Sequence, residues 1–145
     1  MTTIRNALDS LYSNLYYNHD NELHGSFVDT LEAIINEHGE AALAQIESDA
    51  QDRTRRDKDG VHETLRHMGH IETSYAEPIR LMLERVLSSD NSPRVHDACL
   101  LSLASLDNPA SLPVLRMFQN VTRFTSLKED CQRIIEQLEA TVAER

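Results

Sequence analysis

Residues 95–115 read VHDACLLSLASLDNPASLPVL, and this stretch decides the fold. Its apolar residues recur three or four positions apart from Cys99 to Leu106, which is the spacing of one face of an α-helix. An Asp-Asn-Pro turn at 107–109 then interrupts the pattern, and a second apolar face begins at Leu112. The stretch therefore predicts two consecutive helices joined by a tight turn.

The same pattern recurs along the chain. A shift of 35 residues places Pro78 on Pro113, and a shift of 32 residues places Cys99 on Cys131. The shift of 35 residues also aligns the apolar residues that follow the two prolines: Ile79 with Val114, Met82 with Met117, Leu83 with Phe118 and Val86 with Val121. A repeated helix pair cannot bury its apolar face alone, so we expect neighbouring pairs to stack, with both cysteines on inner faces.

Residues 95–115 resemble the HEAT-like repeat family, including the variant found in phycobilisome-lyase-type proteins. They have the small residue early in the first helix, leucines at the two later core positions and the Asp-x-Pro turn. The preceding unit, 61–71, matches less closely, with His62 (like His96 in the next unit) where the family often has Arg. The resemblance covers about 60–120. It implies an all-α solenoid of about seven helices in stacked antiparallel pairs, which presents a curved protein-binding surface and carries no catalytic residues.

Caps and breakers place all of this in one domain, 1–145. The acidic N-terminal helices fill 1–51, with an amphipathic helix over about 3–17 and a short one at 40–51. The two best repeats fill 58–121, paired as 58–72 with 77–88 and 93–106 with 110–121, after a charged linker at 52–59. A capping helix closes the chain at 126–142. The expected boundary residues are Ser26, Asp59, Ser92 with Pro93, and Ser126 as helix starts, and Gly39 as a stop.

The charge is uneven along the chain. Residues 1–50 hold nine acids and one base, a net charge of −8 out of −10 for the whole chain. Such an end repels phosphate backbones and favours basic partners, so we expect no direct nucleic-acid binding. There is no apolar run of membrane-spanning length and no signal-peptide pattern. We therefore expect a cytoplasmic location and neither membrane association nor export.

Histidines supply the densest group of potential ligands. Glu63, His67 and His70 fall on one side of a helical wheel, where a carboxylate and two imidazoles could hold a divalent metal. The wheel places them opposite Met68, which favours a solvated polar face instead. No cofactor is therefore expected.

Catalytic signatures are not visible in the sequence. There is no Ser-His-Asp or Cys-His pattern and no glycine-rich phosphate loop. Cys99 and Cys131 are expected to be buried, inert thiols. The cluster of Arg53, Arg55 and Arg56 is surrounded by acids, so it does not indicate a nucleic-acid site.

These features predict a non-enzymatic module that binds a basic protein partner. An immunity protein, the inhibitor of a secreted nuclease toxin, is a narrower hypothesis. The alternative is a lyase-type HEAT-like protein that handles a chromophore or small ligand, with His62, His67 and His70 as metal or ligand candidates. The acidic region, the tyrosines of the first helix and the expected concave helix faces give these partner-binding candidates: Tyr16, Tyr17, Asp20, Glu22, Glu40, Gln45, Asp49, Glu77, Glu84, Arg116 and Arg123.

Overall fold

The structure is a computed structural model that describes residues 3–15 and 25–144. These residues form eight α-helices and two 3₁₀ turns, and contain no β-strand. The all-α prediction is thus confirmed. The helices are α1 (Ile4–Ser13), α2 (Gly25–His38), α3 (Glu40–Gln51), α4 (Lys58–His67), α5 (Ala76–Ser88), α6 (Pro93–Leu106), α7 (Leu112–Val121) and α8 (Thr125–Ala143), with 3₁₀ turns at Met68–His70 and Pro109–Ser111.

Several predicted boundaries are confirmed by cap geometry. The Ser92 hydroxyl accepts a hydrogen bond from the backbone N–H of Val95, and Pro93 is the first residue of α6. Gly39, with a φ of 61°, separates α2 from α3. Asp107, with a φ of 50°, ends α6 in the left-handed region that short polar residues tolerate. The turn chemistry read from the sequence therefore sets these ends.

Other boundaries were predicted wrongly. Helix α1 ends at Ser13 and not at 17, and the side chain of Asn14 donates to the carbonyl of Ser10 there. Polar side chains that bond nearby carbonyls in this way commonly end helices.

The predicted caps of three other helices were also displaced. Asp57, not Asp59, precedes α4. Helices α2 and α8 begin one residue before Ser26 and Ser126, so neither serine stands at its cap.

The helices pack in two rows. One row runs α1, α4, α6, α8 and the other α3, α5, α7, with each helix against the next, while α2 packs on α1 and α3. The rows meet most closely where α5 packs on α6 and α7 on α8, and also where α3 packs on α1 and α4. The main contacts between consecutive helices therefore fall one helix later than the predicted pairs 58–72/77–88 and 93–106/110–121.

Two glycines bring the helices of the first row close together. A Cβ at Gly60, in α4, would lie 2.4 Å from the Cα of Tyr12 in α1. One at Gly69, just after α4, would lie 2.3 Å from the carbonyl oxygen of Ser102 in α6. The backbone N–H of Gly69 instead donates to the Ser102 hydroxyl at 3.1 Å. Both approaches require the absence of a side chain.

The core confirms the predicted burial of the two cysteines and shows unequal burial of the matched residues in α5 and α7. Cys99 and Cys131 are both free and fully buried, as the register predicts. Met82 and Val86 of α5 are also fully buried, but their counterparts Met117 and Val121 in α7 are 70% and 73% exposed. Helix α5 is covered by α3, α6 and α7, whereas α7 is covered by α5 and α8. The same sequence pattern therefore has different burial in the two units.

Candidate functional site

A groove of about 300 Å³ lies between α3 and α5. Glu40 and Glu47 enter it from α3, and Glu77 and Arg85 enter it from α5. Its apolar part includes Leu81, which is 42% exposed although α5 otherwise buries its leucines. We call these residues, with Leu43, Ala44 and Pro78, the α3–α5 groove.

Local helix structure places the carboxylates. Glu40 and Glu77 lie in the first turns of α3 and α5, where a negative charge is favourable beside the positive end of the helix dipole. Glu47 follows Glu40 by two helical turns and so shares its face. Arg85 forms a 2.8 Å salt bridge with Glu47, while Glu40 forms no salt bridge with any residue of 3–15 or 25–144. The groove therefore has a net negative charge at its Glu40 and Glu77 end.

Glu77 stays ionised because of a neighbour on its own helix. Arg80 donates hydrogen bonds to its carboxylate and holds the pKa of Glu77 below its usual range. The side chain of Glu77 is nevertheless 58% exposed, so it remains accessible to a partner.

Asp49 was predicted to face solvent on α3, and this is wrong. It is 5% exposed and accepts hydrogen bonds from both terminal nitrogens of Arg5 at 2.9 Å, from Arg55 at 3.2 Å and from the Tyr12 hydroxyl at 2.7 Å. Asp9 lies 3.0 Å from Arg55 and also binds Arg5, whose hydrogen bond lowers the pKa of Asp9. Burial and Asp49 together raise the pKa of Tyr12. This ionic network is buried at Asp49 and Tyr12 and partly exposed at Arg5 and Asp9. It joins α1, α3 and the linker, so Asp49 has no free surface for a partner, and we call it the buried ionic network after its centre.

Glu84 was also predicted to point away from the core, and it is only 9% exposed. It accepts hydrogen bonds from Arg80 and, at 2.9 Å, from the hydroxyl of Ser111. Ser111 belongs to the 3₁₀ turn before α7, which covers this side of α5. Glu84 therefore joins α5 to the α6–α7 connection.

The remaining candidates are dispersed. Gln45 is exposed and accepts a hydrogen bond from Arg5 at 3.1 Å. Arg116 lies 3.6 Å from Glu139 of α8, and Arg123 follows α7; neither lines the α3–α5 groove. Four candidates lie outside the described residues: Tyr16, Tyr17, Asp20 and Glu22.

The structure does not bring the three residues of the predicted histidine cluster together around one point. Nε2 of His67 lies 3.1 Å from Oε2 of Glu63, but His70 turns toward the Ser105 hydroxyl at 3.3 Å. Within the described part of the chain, no three His, Cys, Asp or Glu side chains are grouped to hold a metal. Glu63 and His67 are 13% and 23% exposed, so the predicted solvated face is also wrong for them. His67 packs edge-on against Phe27, and burial lowers its pKa.

Sequence reasoning therefore placed Glu40, Glu77 and Arg85 of the groove on exposed helix faces and missed Glu47. The spacing of Glu40 and Glu47, seven residues apart on one helix face, is the signal that could have found the third carboxylate. Pairing between α3 and α5 could not be read from either helix alone.

The chain matches no family model, no curated protein and no solved structure. Among the described helices, none is long and apolar enough to cross a membrane.

Proposed function

We propose that this protein is a non-enzymatic binding module that takes a basic segment of a partner protein into the α3–α5 groove. The observation that carries the proposal is the set of three carboxylates, Glu40, Glu47 and Glu77, around the exposed side chain of Leu81. A Lys or Arg side chain can lay its aliphatic stem on Leu81 and place its charge between the carboxylates.

Long-range charge supports the same class of partner. The chain carries a net charge of −10, and residues 1–50 hold −8 of it. Such a field attracts a basic partner before contact and raises the association rate. Glu40 has no internal salt bridge in the described residues, so binding it requires no pair to be broken.

The order of helix contacts supports a HEAT-like solenoid as the scaffold. In this arrangement α3, α5 and α7 form the row that presents the binding surface, and the helix pairs are α5 with α6 and α7 with α8, one helix later than in the repeat expected at 60–120. An inhibitor of a basic nuclease toxin is the narrower form of the proposal, since it needs acidity and no chemistry.

Site-specific photo-crosslinking tests this function in the source cell. A photoreactive residue at Leu81, in the groove, is compared with one at Leu101 of α6, which is 39% exposed but lies outside the groove. We expect the Leu81 probe to capture one predominant protein with a basic isoelectric point and the Leu101 probe to capture it far less.

A charge variant decides whether the capture reflects the groove. The double variant that carries both Glu40→Lys and Glu77→Gln should abolish the Leu81 crosslink. The control, Glu129→Lys with Glu136→Gln on α8, changes the net charge by the same amount and should leave the crosslink intact. An acidic partner, or equal capture by both charge variants, would overturn the proposal.

A further inference from the structure

A second and larger cleft, of about 590 Å³, lies on the other side of the buried ionic network. It is bounded by the end of α3, the 52–57 linker and the first turns of α4 and α6. Its volume lies within the range of about 300–1,000 Å³ that is typical of small-molecule sites. We call it the linker cleft, and the protein-binding groove described above does not include any of its residues.

The walls of the linker cleft are apolar in part. Ala50, Val61, Pro93 and Val95 all line it. The three apart from Pro93 are almost fully buried, so they form fixed walls and not mobile surface side chains. The surface of the cleft as a whole is mostly apolar, which suits a ligand with an apolar body.

The side chains that line the cleft carry a small net positive charge, in a protein that is strongly acidic overall. Four basic side chains, Arg53, Arg55, Lys58 and Arg94, line it against three aspartates. Arg55 is committed to the buried network, and Arg94 forms a 2.8 Å salt bridge with Asp59.

Two of the four cations are left for a ligand. Lys58 forms no salt bridge with any residue that the structure describes, and Arg53 has one long contact of 3.6 Å with Asp90, which is almost fully exposed. Lys58 and Arg53 are therefore available to an anion.

His62 adds an unsatisfied polar group to the same wall. Its Nδ1 is buried and has no hydrogen-bond partner within the described residues. Burial first, and then the neighbouring Arg94, lower the pKa of His62, so the imidazole is neutral at pH 7. A neutral imidazole offers one donor and one acceptor, and a ligand that reaches it would supply the missing partner.

We propose that the linker cleft binds a small organic anion of about nucleotide size. Its apolar body lies against Val61 and Pro93, and its phosphate, sulfonate or carboxylate group lies beside Lys58 and Arg53. Helices α4 and α6 both begin at this cleft, and the positive ends of their dipoles add to the attraction of the anion.

The probe for the test is 1-anilinonaphthalene-8-sulfonate, compared with N-phenyl-1-naphthylamine, which has the same rings without the sulfonate. Each is titrated into ¹⁵N-labelled full-length protein and followed by amide chemical shifts. We expect the sulfonate to bind at least tenfold more tightly and to shift the amides of 58–62, 91–92 and 94–95. Equal affinity for the two compounds, or shifts confined to the exposed apolar residues Met117, Val121 and Phe124, would overturn the proposal.

The chain's only two lysines provide a matched pair of variants. Lys58 and Lys128 are both exposed and lie in the first turn of a helix, but Lys128 is on α8, away from the cleft. Lys58→Glu should weaken binding of the sulfonate at least fivefold, whereas Lys128→Glu should leave it within twofold of the parent. Circular dichroism and the thermal midpoint establish that both variants fold.

If Lys58→Glu does not fold, Arg53→Glu takes its place, since that side chain is 57% exposed. Equal affinity of the cleft and control variants contradicts the proposed site.

Discussion

The hydroxyl of Tyr12 donates a 2.7 Å hydrogen bond to the carboxylate of Asp49, 37 residues further along the chain. Both residues are buried, with exposed fractions of 2% and 5%. Tyr12 is thus a core residue of α1 whose polar end satisfies a buried charge on α3. The pair, with Arg5 and Arg55, holds the N-terminal helix on the rest of the fold.

This network predicts unequal costs for two conservative substitutions. Tyr12→Phe removes one donor and leaves the arginines, so the free energy of unfolding should fall by about 2 kcal/mol. Asp49→Asn removes the buried charge that Arg5 and Arg55 share, leaving them only the half-exposed Asp9 in common, and should cost about 3 kcal/mol. Asp59→Asn, in an exposed pair, should cost less than about 1 kcal/mol. Urea denaturation followed by circular dichroism measures all three. Similar losses for Asp49→Asn and Asp59→Asn would show that the buried network does not stabilise the fold.

Two valines at matching repeat positions give a second prediction. Val86→Ala removes buried methyl groups and should lower the free energy of unfolding by about 2 kcal/mol. Val121→Ala, at a 73% exposed position, should change it by less than about 0.5 kcal/mol. Chemical denaturation compares them directly, and a large loss at Val121 would mean that another surface covers α7.

Buried histidines predict lower stability in mild acid. Burial is the main cause that lowers the pKa of His62, His67 and His96 below the ordinary value of 6.5. The unfolded chain then takes up protons first, so the free energy of unfolding falls as pH drops from 7.5 through 6.5 to 5.5, by up to about 1.4 kcal/mol per pH unit for each proton.

The charged groups around these histidines determine the pH range over which stability is lost. Glu63 bonds His67, and Asp90 and Arg53 lie near His96, while burial raises the pKa of Asp97, which acts in the opposite sense at lower pH. Urea titrations at pH 7.5 and 5.5 test the trend. His96→Gln, which retains a donor for the Ser89 carbonyl, should reduce the slope, and higher stability at pH 5.5 would contradict the prediction.

Both cysteines should resist thiol reagents in the native protein. Burial raises the pKa of Cys99 and raises that of Cys131 to about 11, and the thiolate is the reactive form. The Cys131 thiol also donates to the Leu115 carbonyl at 3.2 Å. A disulfide-exchange assay should therefore label neither cysteine until denaturant is added. An introduced thiol at the exposed position Ser48 serves as the reactive control, and equally rapid labelling of the native protein would contradict the burial of both thiols.

Charge in the α3–α5 groove should control the rate at which the proposed basic partner associates. The double variant with Glu40→Lys and Glu77→Gln should slow association at least tenfold at low salt. The effect should be much smaller at high salt, because screening removes long-range attraction. Stopped-flow or surface-based kinetics measure the rate, with Glu129→Lys and Glu136→Gln as the control of equal charge. A rate that responds equally to both pairs would assign steering to net charge alone.

Apolar spacing and cap residues were sufficient to predict the all-α class and the bounds of α3, and they placed the start of α6 at Ser92 and Pro93. They failed at Asp49 and Glu84 because a helical wheel describes one helix, whereas the partners come from elsewhere. Arg5 precedes Asp49 by 44 residues, and Ser111 follows Glu84 by 27. The candidate groove was half predicted for the same reason: Glu40 and Glu77 could be read from their own helices, but the juxtaposition of α3 and α5 could not.

Gly60 and Gly69 allow α4 and the turn after it to lie close to both neighbouring helices of the row, α1 and α6. At Gly60 and Gly69 the backbone of α4 and of the turn that follows it lies directly against the backbone of α1 and α6. An added methyl group at Gly60 or Gly69 would push α1 or α6 outward. Helix spacing can therefore change through two positions that line neither the α3–α5 groove nor the linker cleft, so it can vary separately from the residues of either one.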